Sequence, residues 1–512
     1  MGYLLGIDIG SGGCKVTLLD SKKGSARTVS EEYPVYYPAP GWAEQDAGDW
    51  MKASAAAIGN ILAQEGIDSA QIQAVAVGGV THSPVFLDKG GNVLGKVMHI
   101  TDTRSYRQAQ ALSESFGQKI LDTAYNPVEA MWTLPMLLWV RQQDKQRYHQ
   151  IKKILFPKDY IRYRLTGTDC TDRIEAEGTL FYSPIRKEWD LDLFGLTGLD
   201  QEVLPRILSP SQVAGKVTPN GALWSGLKEG TPVMVGSTDT MLEVFAAGAS
   251  EPGDCTVKLA TFGRICVITD QPFSGKGLIN YSYIKPGLFY PGTGTKSFAA
   301  SLRWARDQCC RDIKDKDAYR IMDREAENIA PGANGLIFHP YLQGEGSPYN
   351  DPGLKGDFLG LSLHHTRAHL VRAVLEGTAA SLKDSMAFLK EKGMKIKGEV
   401  RFLGGGSASS LWAQIVADML GTDAVIPQYR DASLGSALLA GMGIGAYSTY
   451  EQAQQSVFKI LRKVRHHKEN HKIYKQFFSV YKMSQKKCQD IYHHKGYRRL
   501  AQKGEGENNA SQ

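Results

Sequence analysis

Tyr3-Leu4-Leu5-Gly6-Ile7-Asp8-Ile9-Gly10-Ser11-Gly12-Gly13-Cys14-Lys15-Val16-Thr17-Leu18-Leu19-Asp20 opens the chain and decides how the rest is read. Two apolar runs flank a turn of Gly and Ser, which predicts a β-hairpin with a single acid, Asp8, at the end of its first strand. A turn with so little side chain lets backbone N–H groups approach an anion closely, and Lys15 just beyond it adds a positive charge. The stretch is therefore either an ordinary glycine-rich hairpin or a phosphate cradle. Asp8 favours the cradle, because an acid beside bound phosphates repels them unless a divalent cation such as Mg2+ lies between. A Rossmann fingerprint is excluded, since its third Gly is missing and a strand follows where a helix belongs. A Walker P-loop is excluded too, since it needs Gly-Lys-Ser/Thr at a helix start.

Working outward, 512 residues exceed one core and predict two large domains. The 42% hydrophobic and 22% charged fractions are ordinary for a globular protein. The N-terminus runs into the strand without a basic region or cleavage site, so no secretory signal is expected, and no apolar run reaches the length of a membrane span. Seven scattered cysteines, including the vicinal Cys309 and Cys310, point to reduced thiols and a cytoplasmic location. The net charge of +7 suggests a nucleic-acid partner until it is located. From Lys459 onward there are 14 Lys/Arg against 4 Asp/Glu, so the rest of the chain is acidic by 3 charges. Within that tail Tyr474, Phe478 and Tyr481 recur at helical spacing, which predicts a helix packed on one face and solvated by Lys and Arg on the other. Neither a nucleic-acid nor a membrane partner is expected, and residues from Lys503 read as disordered. His364, His365 and His369, and separately His467 and His471, have helical spacings that suit a metal, but no acid or Cys completes a set, so surface histidines are expected.

Between these ends strands alternate with helices, the pattern of an α/β architecture. An amphipathic helix is expected over 49–65 and a strand over 72–77, leading into Thr81 and His82. A strand over 85–87 turns at Gly90-Gly91 into Val93, and the chain then reaches Asp102 and Arg104. His82 is either a packed histidine or a polar group for a small polyol. Asp102 with Arg104 is either a salt bridge at a helix start capped by Thr101 or Thr103, or part of the same site. A strand over 232–235 delivers Asp239 and Thr240 into an Ala-rich helix. Asp239 is there either an N-cap or an acid placed to meet substrate.

Taken in order, several motifs resemble the FGGY carbohydrate kinases, and the xylulose kinase-like branch in particular. They are Asp-Ile-Gly-Ser-Gly-Gly at Asp8, the block around Pro157-Lys158-Asp159-Tyr160 and Leu165-Thr166-Gly167, the Asp239 corner, Leu259-Ala260-Thr261-Phe262-Gly263, and Phe402-Leu403-Gly404-Gly405-Gly406-Ser407. The run from Gly356 to Leu361, continuing to His369 and Glu376, is similar to the family's second signature, and the likeness covers roughly residues 1–480. It implies an α/β fold of two actin-like, RNase H-type domains with a cleft between them. Residues 1–245 would form the N-terminal domain with the sugar site and first phosphate loop, 246–450 the ATP-binding C-terminal domain, and 451–512 a basic helical extension with a disordered end. It further implies phosphorylation of a hydroxyl on a small sugar or polyol by ATP and Mg2+, with a ketopentose such as xylulose the leading acceptor. Asp239 would be the general base and Asp8 would hold Mg2+ through water. Gly10, Ser11, Gly12 and Lys15 would form the first phosphate loop, with Thr261 and Gly263 the second. Gly404, Gly405, Gly406 and Ser407 would border the adenosine, and Thr81, His82, Asp102 and Thr240 would line the sugar pocket.

The departures from the family pattern gather near the sugar. Val80-Thr81-His82-Ser83 stands for Gln-Met-His-Gly, Ile100-Thr101-Asp102 for Trp-Asn-Asp, and Thr240 for the usual Asn. Gly344-Glu345-Gly346-Ser347-Pro348 stands for Gly-Glu-Arg-Thr-Pro, and Ala260-Thr261-Phe262-Gly263 for Gly-Thr-Ser-Gly. These changes leave the acceptor open. They also keep a second reading, a catalytically weak member that binds ATP and sugar as a regulator, and a third, an actin- or Hsp70-like ATPase without a sugar. Oligomeric state is open as well, with a homodimer as one arrangement.

Overall fold

The structure, a computed structural model, describes residues 2–313 and 317–500. The expected disordered end beyond Lys503 lies outside the described residues. Two six-stranded mixed sheets carry the fold. The first comprises β1 (Tyr3–Ile9), β2 (Gly13–Asp20), β3 (Ser25–Glu32), β4 (Ile72–Gly79), β5 (Val213–Lys216) and β6 (Pro232–Met234), in the order β5-β6-β4-β1-β2-β3. The second comprises β7 (Cys255–Leu259), β8 (Gly263–Val267), β9 (Gly292–Thr295), β10 (Val400–Leu403), β11 (Ala424–Pro427) and β12 (Ile460–Val464), in the order β9-β8-β7-β10-β11-β12. Each begins as a three-stranded antiparallel meander whose first strand then pairs in parallel with a later one. That shared plan is the RNase H-type arrangement, used twice. The helices that position the site are α1 (Ala47–Glu65), α2 (Asp239–Ala246), α3 (Arg367–Glu391), α4 (Ser410–Leu420), α5 (Ala432–Gly443) and α6 (Lys468–His493).

β1 is apolar on both faces because both are covered. Leu5, Ile7 and Ile9 share one core with Trp50, Ala57, Ile58 and Ile61 of α1. α1 starts at Ala47, two residues before the expected position, because the Asp46 side chain accepts from Gly48 N–H and caps it. The alternate residues Leu4, Gly6 and Asp8 face α5. Gly6 is required there, since a Cβ at this position would lie 1.8 Å from the Ser433 carbonyl oxygen. Across the same helix, a Cβ on Gly435 would lie 2.2 Å from the Leu242 carbonyl oxygen of α2. Two glycines thus let α5 press between β1 and α2, which brings Asp431, at the start of α5, to the end of β1 where Asp8 stands. The chain returns to its first sheet after passing through the second.

The basic tail forms α6, packed on the second domain. Its buried aromatic face is Tyr474, Phe477 and Tyr481, with Phe478 only partly covered, so the expected stripe is shifted by one residue. Tyr474 donates to Glu376 at 2.8 Å and Lys482 pairs with Asp384 at 2.7 Å, tying α6 to α3. Its remaining basic residues are largely solvated, as charge runs usually are.

Candidate active site

The hairpin forms as the sequence predicts, with Asp8 directly opposite Lys15 in the β1–β2 register. Gly10 N–H donates to Gly13 C=O at 3.0 Å and closes the turn. The Gly10 carbonyl accepts from Tyr33 OH at 2.5 Å, and the Ser11 carbonyl accepts from Gln45 Nε2 at 2.8 Å, with His99 Nε2 at 3.2 Å. In a trans peptide the next N–H points the opposite way. The N–H groups of Ser11 and Gly12 are thereby held away from these anchors.

A cavity of about 380 Å³ opens in front of this turn, lined among others by Asp8, Gly10, Ser11, Gly12, Lys15, Asp239, Lys258 and Asp431. Its cations are tethered: Lys15 Nζ lies 2.8 Å from Asp431 and Lys258 Nζ 2.6 Å from Glu243. Burial first, and then repulsion from Asp239 and Asp431, pushes the Asp8 carboxyl well above its ordinary value, against the pull of Lys15. Asp8 Oδ1 is buried and has no hydrogen-bond partner among the described residues. A carboxylate so placed among other acids fits a divalent cation that offsets the charge.

Asp239 begins α2, with Thr238 as the N-cap residue. It is not the cap that the plainer reading expects. Its Oδ1 accepts from Thr240 N–H at 2.5 Å and Thr240 Oγ1 at 3.2 Å, and Oδ2 makes no hydrogen bond among the described residues. One oxygen is committed and the other is open.

Strand β7 links this cavity to a second of about 860 Å³, since Lys258 lines the first while Leu259, Ala260 and Thr261 line the second with Gly405, Gly406 and Trp412. Gly404 (φ 79°) and Gly406 lie flush on β7, where Cβ atoms would come within 2.7 and 2.9 Å of the Leu259 carbonyl oxygen. Trp412 stacks on Phe298 at 4.4 Å. Gly263 is buried against Thr295 and Phe298, and the Ser407 hydroxyl donates to the Gly404 carbonyl at 2.7 Å. These two shape the loops from behind. Phe262, 54% exposed, stands at the loop tip beside Thr261.

Thr81 and His82 sit in a tight, buried turn. Glu175 accepts from Thr81 Oγ1 at 2.8 Å and from His82 N–H at 3.0 Å, and His82 adopts φ 75°. The imidazole packs on Trp132 and its Nε2 lies 2.8 Å from Tyr281 OH, a contact between the two halves of the chain. Burial lowers the His82 pKa to about 3 and raises that of Glu175 to about 8, so a neutral ring stands beside a protonated acid. Glu177, also pushed up to about 8 by burial, accepts from Ser282 N–H at 2.6 Å across the same junction. Asp102 is the salt bridge of the plainer reading: its oxygens accept from Ala43 N–H at 2.7 Å and from Arg104, whose guanidinium also lies over Trp42. The helix that follows begins at Tyr106 with Ser105 at its N-cap, so neither Thr101 nor Thr103 caps it.

Residues 3–246 match the N-terminal domain of the FGGY family of carbohydrate kinases and residues 263–444 match its C-terminal domain. The chain belongs to the FGGY family of carbohydrate kinases. This FGGY kinase is 29% identical over 486 residues to a xylulose kinase of Bacillus subtilis, covering 94% of the present chain and 96% of the relative. A gluconokinase of the same organism is 26% identical over 464 residues, 89% of this chain and 90% of the relative. Among solved structures, xylulose kinase from Rhodospirillum rubrum superposes with a TM-score of 0.88 at 25% identity, over 96% of this chain and all of that one. The two-domain actin-like fold and the ATP-dependent sugar phosphotransferase activity expected from the sequence are thus borne out.

Sequence reading missed several residues that this kinase gathers at the cleft. Lys258 is a lone cation in the apolar run Cys255–Leu259, which marks a strand end facing solvent or a ligand. Asp431 precedes Ala-Ser-Leu-Gly-Ser, a readable helix start, but its partner Lys15 is 416 residues away. Glu175, Glu177 and Tyr281 carried no local signal.

Proposed function

We propose that this FGGY kinase moves the γ-phosphoryl group of MgATP to a hydroxyl of a small sugar or polyol, and that the acceptor is a ketopentose such as xylulose. The acceptor assignment rests on the relatives, and the chemistry rests on one observation: Asp8 and Asp239 share a cavity with Lys15 and Lys258. A sugar hydroxyl is a weak nucleophile, and Asp239, with Oδ2 open, would accept its proton as the phosphoryl group departs. Mg2+ held through water by Asp8 would neutralise charge on the phosphates. The Gly10–Ser11–Gly12 backbone and Lys15 would bind the phosphates from the first domain. Thr261 would bind them from the second, where Gly263 shapes the loop. The larger cavity by Gly404, Gly405, Gly406 and Ser407 has room for adenosine. Thr81, His82 and Thr240 would border the acceptor, with Asp102 behind them. All seven cysteines are free, and among the described residues no helix is long and apolar enough to cross a membrane, in keeping with a cytoplasmic enzyme.

ADP release measured with MgATP and a panel of pentuloses, hexuloses, polyols and glycerol tests the reading. Strong stimulation by a ketopentose is expected. ATP binding with no stimulated turnover would instead support the regulatory reading that exposed Phe262 favours, and turnover independent of any acceptor would support a plain ATPase.

A further inference from the structure

Arg264 is a cation beside the cleft that the roles above leave unused. It lies directly opposite Lys258 in the β7–β8 register, so the two side chains share a face of the sheet, and Lys258 lines the cavity of Asp8 and Asp239. One step further along that face Cys266 pairs with Thr256, whose hydroxyl bonds Tyr290 OH. Tyr290 N–H in turn donates to the Tyr281 carbonyl at 2.7 Å, and Tyr281 OH meets His82. Arg264 therefore stands between the Asp239 cavity and the Tyr281–His82 wall, on the acceptor side of the reacting centre.

Its surroundings satisfy it only in part, through a hydrogen bond to the Cys266 side chain. Among the described residues no carboxylate lies within ion-pair distance, and Nη2 is buried with no hydrogen-bond partner. Burial holds Cys266, Tyr281 and Tyr290 above their ordinary values, so these neighbours are neutral, and Asp239 is the carboxylate whose field favours the charged guanidinium. A guanidinium has five N–H donors and no acceptor, and a buried cation is costly unless something with lone pairs faces it.

We propose that Arg264 is a specificity-determining residue of the acceptor site, and that it selects an acceptor whose reading group offers lone pairs only, a ketose carbonyl or an aldonate carboxylate, over the hydroxyl of the matching alditol. The inference rests on the kinase reading and names what the site reads in its acceptor. A carbonyl or carboxylate oxygen accepts from Arg264 without bringing a proton that needs its own partner. An alditol hydroxyl brings one into a wall whose nearest groups are already engaged, and such a mismatch is worth roughly 10- to 100-fold in kcat/KM.

The test measures kcat/KM for xylulose with its alditols xylitol and arabinitol, and for gluconate with its alditol glucitol, together with the ATP KM and the thermal midpoint, for the wild-type chain, Arg264→Met and Arg264→Lys. The wild type should prefer xylulose or gluconate over the alditols by about tenfold or more, and which of the two is preferred identifies the group read. Arg264→Met should lose roughly 10- to 100-fold on the preferred acceptor, bring the ratio to the alditols near one, and leave the ATP KM within about threefold. Its thermal midpoint should stay level or rise, because a buried charge with no carboxylate within ion-pair distance has been removed; a merely structural arginine would give a clear fall. Arg264→Lys keeps the charge without the planar fork, so it should retain more of a gluconate preference than of a xylulose preference. An equal loss on ketose and alditol, a raised ATP KM with acceptor KM unmoved, or a wild type that prefers alditols would overturn the inference while leaving the kinase intact. A wild type that phosphorylates no acceptor would overturn the kinase reading and this inference with it.

Discussion

Replacing Asp239 by Asn removes one proton acceptor and almost nothing else. The side chain keeps its size, and Asn retains an oxygen for the Thr240 N–H that Oδ1 now accepts. Loss of a negative charge in the first turn of α2 costs about 0.3–1 kcal/mol of helix-dipole stabilisation. Set against that, Asp239 is one of the charges that hold the Asp8 carboxyl above its ordinary value, so its neutralisation relieves repulsion within the cavity. The two effects oppose each other, and the thermal midpoint should move by only a few degrees. Turnover should behave differently, because general-base catalysis contributes about 10² to 10⁴ in rate. kcat with a ketopentose is therefore expected to fall by that order while the ATP dissociation constant, read by calorimetry, changes little. The pH at which Asp8 takes up its proton should fall, since a repelling neighbour is gone. Near-normal kcat in Asp239→Asn would refute general-base chemistry at this residue, and a collapse of stability would show that the acid holds the helix instead.

Asp8→Asn should raise the Mg2+ concentration needed for half-maximal activity and the ATP KM together, with little change in the acceptor KM; an unchanged Mg2+ requirement would place the metal elsewhere. His82→Ala should raise the acceptor KM with little effect on ATP, and should cost stability as well, because the ring fills space against Trp132 and bonds Tyr281; equal loss of affinity for both ligands would break the division of the cleft. Glu175 and Glu177 are raised from 4.5 to about 8, so between those pH values the native chain holds protons that the unfolded chain releases, and stability should fall as pH rises through that window. Glu175→Gln keeps the acceptor oxygen for Thr81 and His82 and should flatten that slope in thermal melts, which an unaltered slope would contradict.

The parts of the fold that were legible in the sequence are those written locally. The β1–β2 hairpin, its Asp8 and its bare turn are one continuous stretch, and α1 and the Asp239 corner are fixed by patterns a few residues long. The site as a whole is not local. Thr17 meets Ser433 across 416 residues, and His82 meets Tyr281 across 199, so neither contact leaves a trace in any window of sequence. Gly6 reads as a weak point in a strand until α5 is seen lying on it. Arg264 and Lys258 read as unrelated cations until the β7–β8 register sets them side by side. On α6 a shift of one residue, Phe477 for Phe478, reflects how little aromatic spacing alone constrains helical phase.

Phosphoryl transfer from ATP to a small sugar leaves two products that can be counted against each other. The wild-type chain, MgATP and xylulose would be incubated to partial conversion, and ADP and sugar phosphate quantified together by 31P NMR. Equimolar ADP and a pentulose monophosphate, formed only when Mg2+ is present, is the predicted result. ADP accumulating with inorganic phosphate and no phosphorylated sugar, across xylulose and the rest of the acceptor panel, would contradict the claim.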